Sequence, residues 1–141
     1  METDTSSSLK EIETESKPLV LVVDDDETHQ RLMGLLADSL NIAVHIAPTC
    51  HQALKSLEMF TFDIILMDFR MPEVDGCSCT KRIRSLGDQR SRVPIIAITA
   101  HVSEESRAKC LEAGMDDFLA KPFTLSELQD KLRHWLARRP E

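Results

Sequence analysis

Five short runs of aliphatic and β-branched residues, each followed by an amphipathic stretch, constrain this chain more than any other feature. The runs are 19–23, 43–47, 63–67, 94–99 and 117–120. Val and Ile dominate several of them, as strands buried on both faces of a parallel sheet require. The run at 43–47 is weaker, with His45 inside it, and suits an edge position. Five βα units on one sheet make a doubly wound α/β domain. In such open sheets the functional crevice lies outside the carboxyl ends of the strands.

The stretches between the runs carry readable helix punctuation. Asp26 and Glu27 put acids at the start of a first helix reaching about Ser39, with Leu32, Leu36 and Leu40 expected on its buried face. Thr49 is the expected N-cap of a second helix to Met59, burying Ala53, Leu54 and Leu57. Asp75 and Gly76 open a third, whose Cys79, Ile83 and Leu86 share a face before Gly87 ends it. Ser103 opens a fourth that stops at Gly114, and Thr124 with Glu127 forms a capping box for the last. That last helix is expected to bury Leu125, Leu128, Leu132, Trp135 and Leu136, with Arg133, Arg138 and Arg139 toward its end. Residues 1–17 are Ser-, Thr- and Glu-rich and are expected to be a disordered leader or linker, the domain running over 18–139.

At 141 residues the chain is one domain. No apolar stretch is long enough to span a bilayer, and no signal peptide opens the sequence. A formal net charge of −7 argues against nucleic-acid binding. Cys50, Cys77, Cys79 and Cys110 are expected to be reduced thiols in a cytoplasmic protein. No Cys or His pairs stand at zinc-finger spacing.

The acids carry the chemistry. Asp24, Asp25 and Asp26 follow the first run, and Asp68 follows the third. On one parallel sheet these ends meet. Like charges about 4 Å apart repel by roughly 4 kcal/mol at an effective dielectric near 20, so the cluster calls for a cation. A divalent metal is the economical solution. Thr99 ends the fourth run and Lys121 follows the fifth, adding a hydroxyl and an ammonium. Taken singly, each is a turn residue, a strand-end hydroxyl or a surface charge. Together they fit phosphoryl transfer to a carboxylate, where positioning and charge neutralisation carry the rate. Asp24, Asp25 and Asp68 would bind Mg²⁺, Lys121 would pair with Asp68, and Thr99 would donate to a phosphoryl oxygen.

These motifs closely resemble the response-regulator receiver domain of two-component signalling. They are the segments 22–26, 66–68 with 71–76, 98–100 and 121–123, and the resemblance covers about 18–136. It implies a flavodoxin-like (βα)5 three-layer sandwich with strand order 2-1-3-4-5. It implies Asp68 as the phosphorylated residue, Asp24 and Asp25 as the acidic pair for Mg²⁺, and the Arg70 carbonyl as a further ligand. It also implies a cis bond from Lys121 to Pro122. Thr99 and Phe118 map to the switch positions, with Phe118 standing where Tyr is common, so switching there rests on packing. The face formed by the fourth helix, fifth strand and fifth helix, bearing Glu104, Glu105, Arg107, Lys109 and Glu112, would meet a partner. Arg70 and His101 would shield an acyl phosphate from water.

The segments 98–101 and 116–123 look particularly like receivers attached to hybrid histidine kinases, which exchange phosphoryl groups with a histidine-phosphotransfer protein. A stand-alone adaptor that docks on a target when phosphorylated is the alternative. A non-phosphorylated binding module on the same fold is a further one, which loss of Asp68, Lys121 or an acidic-pair member would signal. Arg70 stands where a haloacid-dehalogenase-type phosphatase needs a second Asp, and acids replace the glycines of a dinucleotide site.

Overall fold

The computed structural model describes residues 17–71, 74–100 and 103–138. The strands are β1 (Leu19–Val23), β2 (Ala43–Ala47), β3 (Ile64–Asp68), β4 (Ile95–Thr99) and β5 (Asp117–Ala120). The helices are α1 (Glu27–Leu40), α2 (Cys50–Met59), α3 (Gly76–Arg84), α4 (Glu104–Ala113) and α5 (Leu125–Arg138), with a short 3-10 turn at Gln89–Arg92. All strand pairs are parallel and the sheet order is 2-1-3-4-5. This is the flavodoxin-like architecture expected from the sequence.

Alternation within the strands divides the core in two. Leu21, Val23, Ile65, Met67, Ile95 and Ala97 face α2, α3 and α4. Val20, Val22, Ile64, Leu66, Ile96 and Ile98 face α1 and α5. The central strands β3 and β4 are buried at every position, which explains why all but their last residues are apolar. β2 is the edge strand beside β1, and its His45 is half-buried and bonds to Ser56 of α2 at 3.0 Å.

The helix starts follow the punctuation. Asp26 caps α1 by accepting from the backbone N–H groups of Thr28 and His29. Thr49, Asp75 and Ser103 cap α2, α3 and α4. Thr124 and Glu127 form the reciprocal capping box, at 2.8 and 3.0 Å. Gly114 closes α4 at φ 106°, a left-handed conformation that suits glycine.

Four expectations need correction. Leu32 is 45% exposed, because Met33 and Ala37 take the buried face of α1, one position round from the expected stripe. Leu125 is 42% exposed at the first position of α5, where the chain has only begun to turn toward the sheet. α3 ends at Arg84, so Leu86 lies beyond it and is half-buried. The four cysteines are not all free: Cys50 and Cys79 form a disulfide, their α-carbons 5.6 Å apart. The facing of α2 and α3, which spacing in the chain does not reveal, brings the two together. Residues 1–16, Pro72, Glu73, His101 and Arg139 lie outside the described residues.

Candidate functional site

Parallel strands starting at one level end at one level, and this sheet ends in polar residues. Asp68 is the last residue of β3 and Thr99 the last of β4; both are buried, at 8% and 5% exposure. Asp24 follows β1, also buried, and its N–H is held by the Ala47 carbonyl at 3.1 Å. Lys121 follows β5, its N–H bonded to the Thr99 carbonyl at 2.7 Å, and the Lys121–Pro122 bond is cis. Asp25 is exposed at the rim.

Carboxylate oxygens of Asp24, Asp25 and Asp68 all lie within 4.8 Å of one another. Asp26 is not in this cluster, because its carboxylate is committed to capping α1. The pKa of Asp68 is pushed up to about 6, mainly by burial and then by the charge of Asp24, against the opposing pull of Lys121. A hard divalent cation, which prefers several oxygen donors, fits this donor set.

The cation on the other wall is Lys121, whose Nζ stands 3.7 Å from Asp68 Oδ1. It is shared: His29 Nδ1 lies 3.3 Å from the same Nζ and 3.1 Å from Asp24 Oδ2. Sequence reasoning passed over His29, although its place one turn into the helix after the acids was a usable signal. Gln30 was also missed; its amide donates to the Asp24 carbonyl at 2.6 Å and braces the acidic loop. The Arg70 N–H donates to Asp68 Oδ1 at 3.3 Å, so this loop turns back on the carboxylate. Asp25, Asp68, Thr99, Lys121, His29 and Arg70 line an open cleft of about 490 Å³ together with Thr28, Phe69 and Ala100.

Away from the mouth, Phe118 is half-buried, with the Arg107 guanidinium 4.2 Å from its ring centre. Arg107, although exposed on α4, is thus in contact with β5. His101 falls outside the described residues, so its shielding role has no geometry here.

This sheet order, with an acidic cluster and a lysine at one edge, defines a class. Residues 20–133 match the family described as response regulator receiver domain, and the chain belongs to it. It is 38% identical over 113 residues to the signal transduction histidine-protein kinase BarA of Shigella flexneri, covering 80% of this chain and 12% of that protein. It is 38% identical over 120 residues to the sensor histidine kinase RcsC of Salmonella typhi, covering 85% of this chain and 12% of that one. The chain thus spans about an eighth of the length of these relatives.

Among solved structures it is similar to the receiver domain of sensor histidine kinase PA1611 from Pseudomonas aeruginosa PAO1. The TM-score is 0.79 at 40% identity, covering 86% of this chain and 99% of that one. That protein was crystallised with a magnesium ion coordinated in its active-site cleft. Among the described residues no helix is long and apolar enough to cross a membrane.

Proposed function

We propose that this domain accepts a phosphoryl group from a phosphohistidine onto Asp68 and relays it in a cytoplasmic multistep phosphorelay. The observation that carries the reading is the juxtaposition of Asp24, Asp25 and Asp68 with Lys121 at one edge of the sheet. In the transfer, an Asp68 oxygen attacks phosphorus, the P–N bond breaks, and the donor imidazole leaves with the electron pair. Bound Mg²⁺, held by Asp24, Asp25, Asp68 and the Arg70 carbonyl, would neutralise phosphoryl oxygens. Lys121 offers a fixed positive charge to another oxygen and Thr99 a hydroxyl donor. Their support comes from the strand ends, so little rearrangement is needed to reach the phosphoryl group.

The same reading assigns Thr99 and Phe118 as the switch. A phosphoryl group drawing Thr99 inward would leave room for Phe118, which must then leave the Arg107 guanidinium. The face of α4, β5 and α5 would respond. For the donor, α1 offers a different surface beside the cleft. Leu32, 45% exposed, lines an apolar cavity reaching Met33 and Phe123, and Leu35, one turn further along α1, is 70% exposed. A histidine kinase or histidine-phosphotransfer protein would cover these leucines while presenting its phosphohistidine to Asp68. Similarity to kinase-borne receivers supports a place as one segment of a hybrid histidine kinase.

Phosphotransfer profiling tests the proposal. Phosphohistidine-transfer domains are expected to load this chain far faster than sensor-kinase cores do, and not to load Asp68→Asn. Equal loading by both donors would count against the relay role. Undiminished loading of Asp68→Asn would move the acceptor elsewhere.

A further inference from the structure

α3 carries two cysteines that engage different neighbours. Cys79 is bonded to Cys50 at the start of α2. Cys77, half-buried, stays a free thiol beside the free thiol of Cys110 on α4. All four cysteines of the chain therefore lie on the α2–α3–α4 face of the sheet, one pair bonded and one pair free.

What makes the bonded pair more than a core contact is its position behind Asp68. The first residue of α3, Gly76, rests on the backbone of that aspartate. Its N–H donates to the Phe69 carbonyl at 3.1 Å. A β-carbon at Gly76 would collide with the Asp68 carbonyl oxygen and stand 3.1 Å from both the Phe69 α-carbon and Met67 Cγ. Cys79 lies one helical turn further on. The disulfide thus pins to α2 the same turn that supports the loop bearing Asp68 and Arg70.

We propose that Cys50–Cys79 is a redox modification site whose cleavage loosens the loop behind Asp68. A dithiol reductant attacks one sulfur through a mixed disulfide, and its second thiol then closes on the first. The S–S bond breaks, the reductant becomes a cyclic disulfide, and its two electrons and two protons end on Cys50 and Cys79. Both sulfurs belong to buried residues, 3% and 0% exposed, so attack requires the first turn of α3 to open. The opening that admits the reductant is the motion that the bridge otherwise restrains. Only the consequence for phosphoryl acceptance rests on the function proposed above; the bridge and its effect on the loop do not.

The experiment compares the untreated full chain, the chain reduced with dithiothreitol, and Cys50→Ser. Alkylation under denaturing conditions should modify only Cys77 and Cys110 before reduction, and all four cysteines after it. Amide hydrogen exchange at Phe69 and Gly76 should be faster in the reduced chain and in Cys50→Ser. Labelling by acetyl phosphate with Mg²⁺ should be about fivefold slower, at the low end of ordinary site-to-site couplings. Four alkylated thiols without reduction, or unchanged exchange once the bridge is cleaved, would overturn the proposal. Faster exchange with no label in either redox form supports the loosened loop and counts against Asp68 as acceptor.

Discussion

Replacing Asp68 by Asn should stabilise the metal-free protein near neutral pH, although it removes the proposed acceptor. The pKa of Asp68 is raised from 3.8 to about 6, chiefly by burial and then by the charge of Asp24. A carboxyl whose folded pKa lies above its unfolded value binds more protons in the native state between the two. Stability therefore falls as pH rises through that window. The penalty is absent below about pH 4 and complete above about pH 6. A rise of this size corresponds to about 3 kcal/mol. Water in the open cleft screens these charges, so about 1–2 kcal/mol is the working figure.

Asn keeps an oxygen for the Arg70 N–H and nearly the same volume, while Lys121 retains His29 as a neighbour. Urea denaturation with EDTA present, followed by fluorescence of the single Trp135, measures the difference. At pH 7 the variant should be more stable by about 1–2 kcal/mol. At pH 4 the gap should close. Saturating Mg²⁺ should stabilise the parent and do much less for the variant, because binding to the native state alone shifts unfolding. A variant no more stable than its parent at pH 7 would refute the electrostatic reasoning, since the carboxylate would then cost nothing in the fold.

Three further outcomes follow from single contacts. Arg84→Met should destabilise the domain by about 3 kcal/mol in urea melts, because one guanidinium serves several partners. It binds the carbonyls of Gly114, Ser91 and Val93 and the carboxylate of Asp116, all within 2.9 Å. Leu35→Glu should leave acetyl-phosphate labelling unchanged and slow loading from a phosphohistidine protein about tenfold or more, the cost of a poorly covered interface anchor. Equal loading rates would place the donor elsewhere. Asp25→Ala should weaken Mg²⁺ binding in calorimetry by at least about tenfold, as loss of a metal-ordering carboxylate does. Parental affinity would take Asp25 out of the metal site.

The sheet was legible because its strands are short, Val- and Ile-rich and buried on both faces, so composition and length sufficed without periodicity. Every strand boundary fell within one residue; Asp68 proved to be the last residue of β3 rather than the one after it. The convergence of Asp24, Asp25 and Asp68 was legible because a parallel sheet places all carboxyl ends on one side. Their assigned roles remain for the experiments above.

Three features depend on how helices pack on one another and on the sheet, which spacing along one chain does not record. The Cys50–Cys79 pairing needs the relative rotation of α2 and α3. The contact of Arg107 with Phe118 needs α4 to lie over β5. The exposure of Leu32 turns on a shift of one position in the buried stripe of α1, and leucine at either position satisfies a helical pattern. His29 was hidden for another reason. An imidazole between an acid and a lysine is a tertiary meeting of residues 92 positions apart.

Asp68 as the phosphoryl acceptor is best tested by chemical trapping. The protein is incubated with acetyl phosphate and Mg²⁺, then reduced with borohydride, which converts an aspartyl acyl phosphate to homoserine at the modified position. Peptide mapping should find homoserine at residue 68, dependent on Mg²⁺ and absent when Asp68 is Asn. Homoserine at another aspartate, or no trapped residue in a protein that binds the ion, would contradict it.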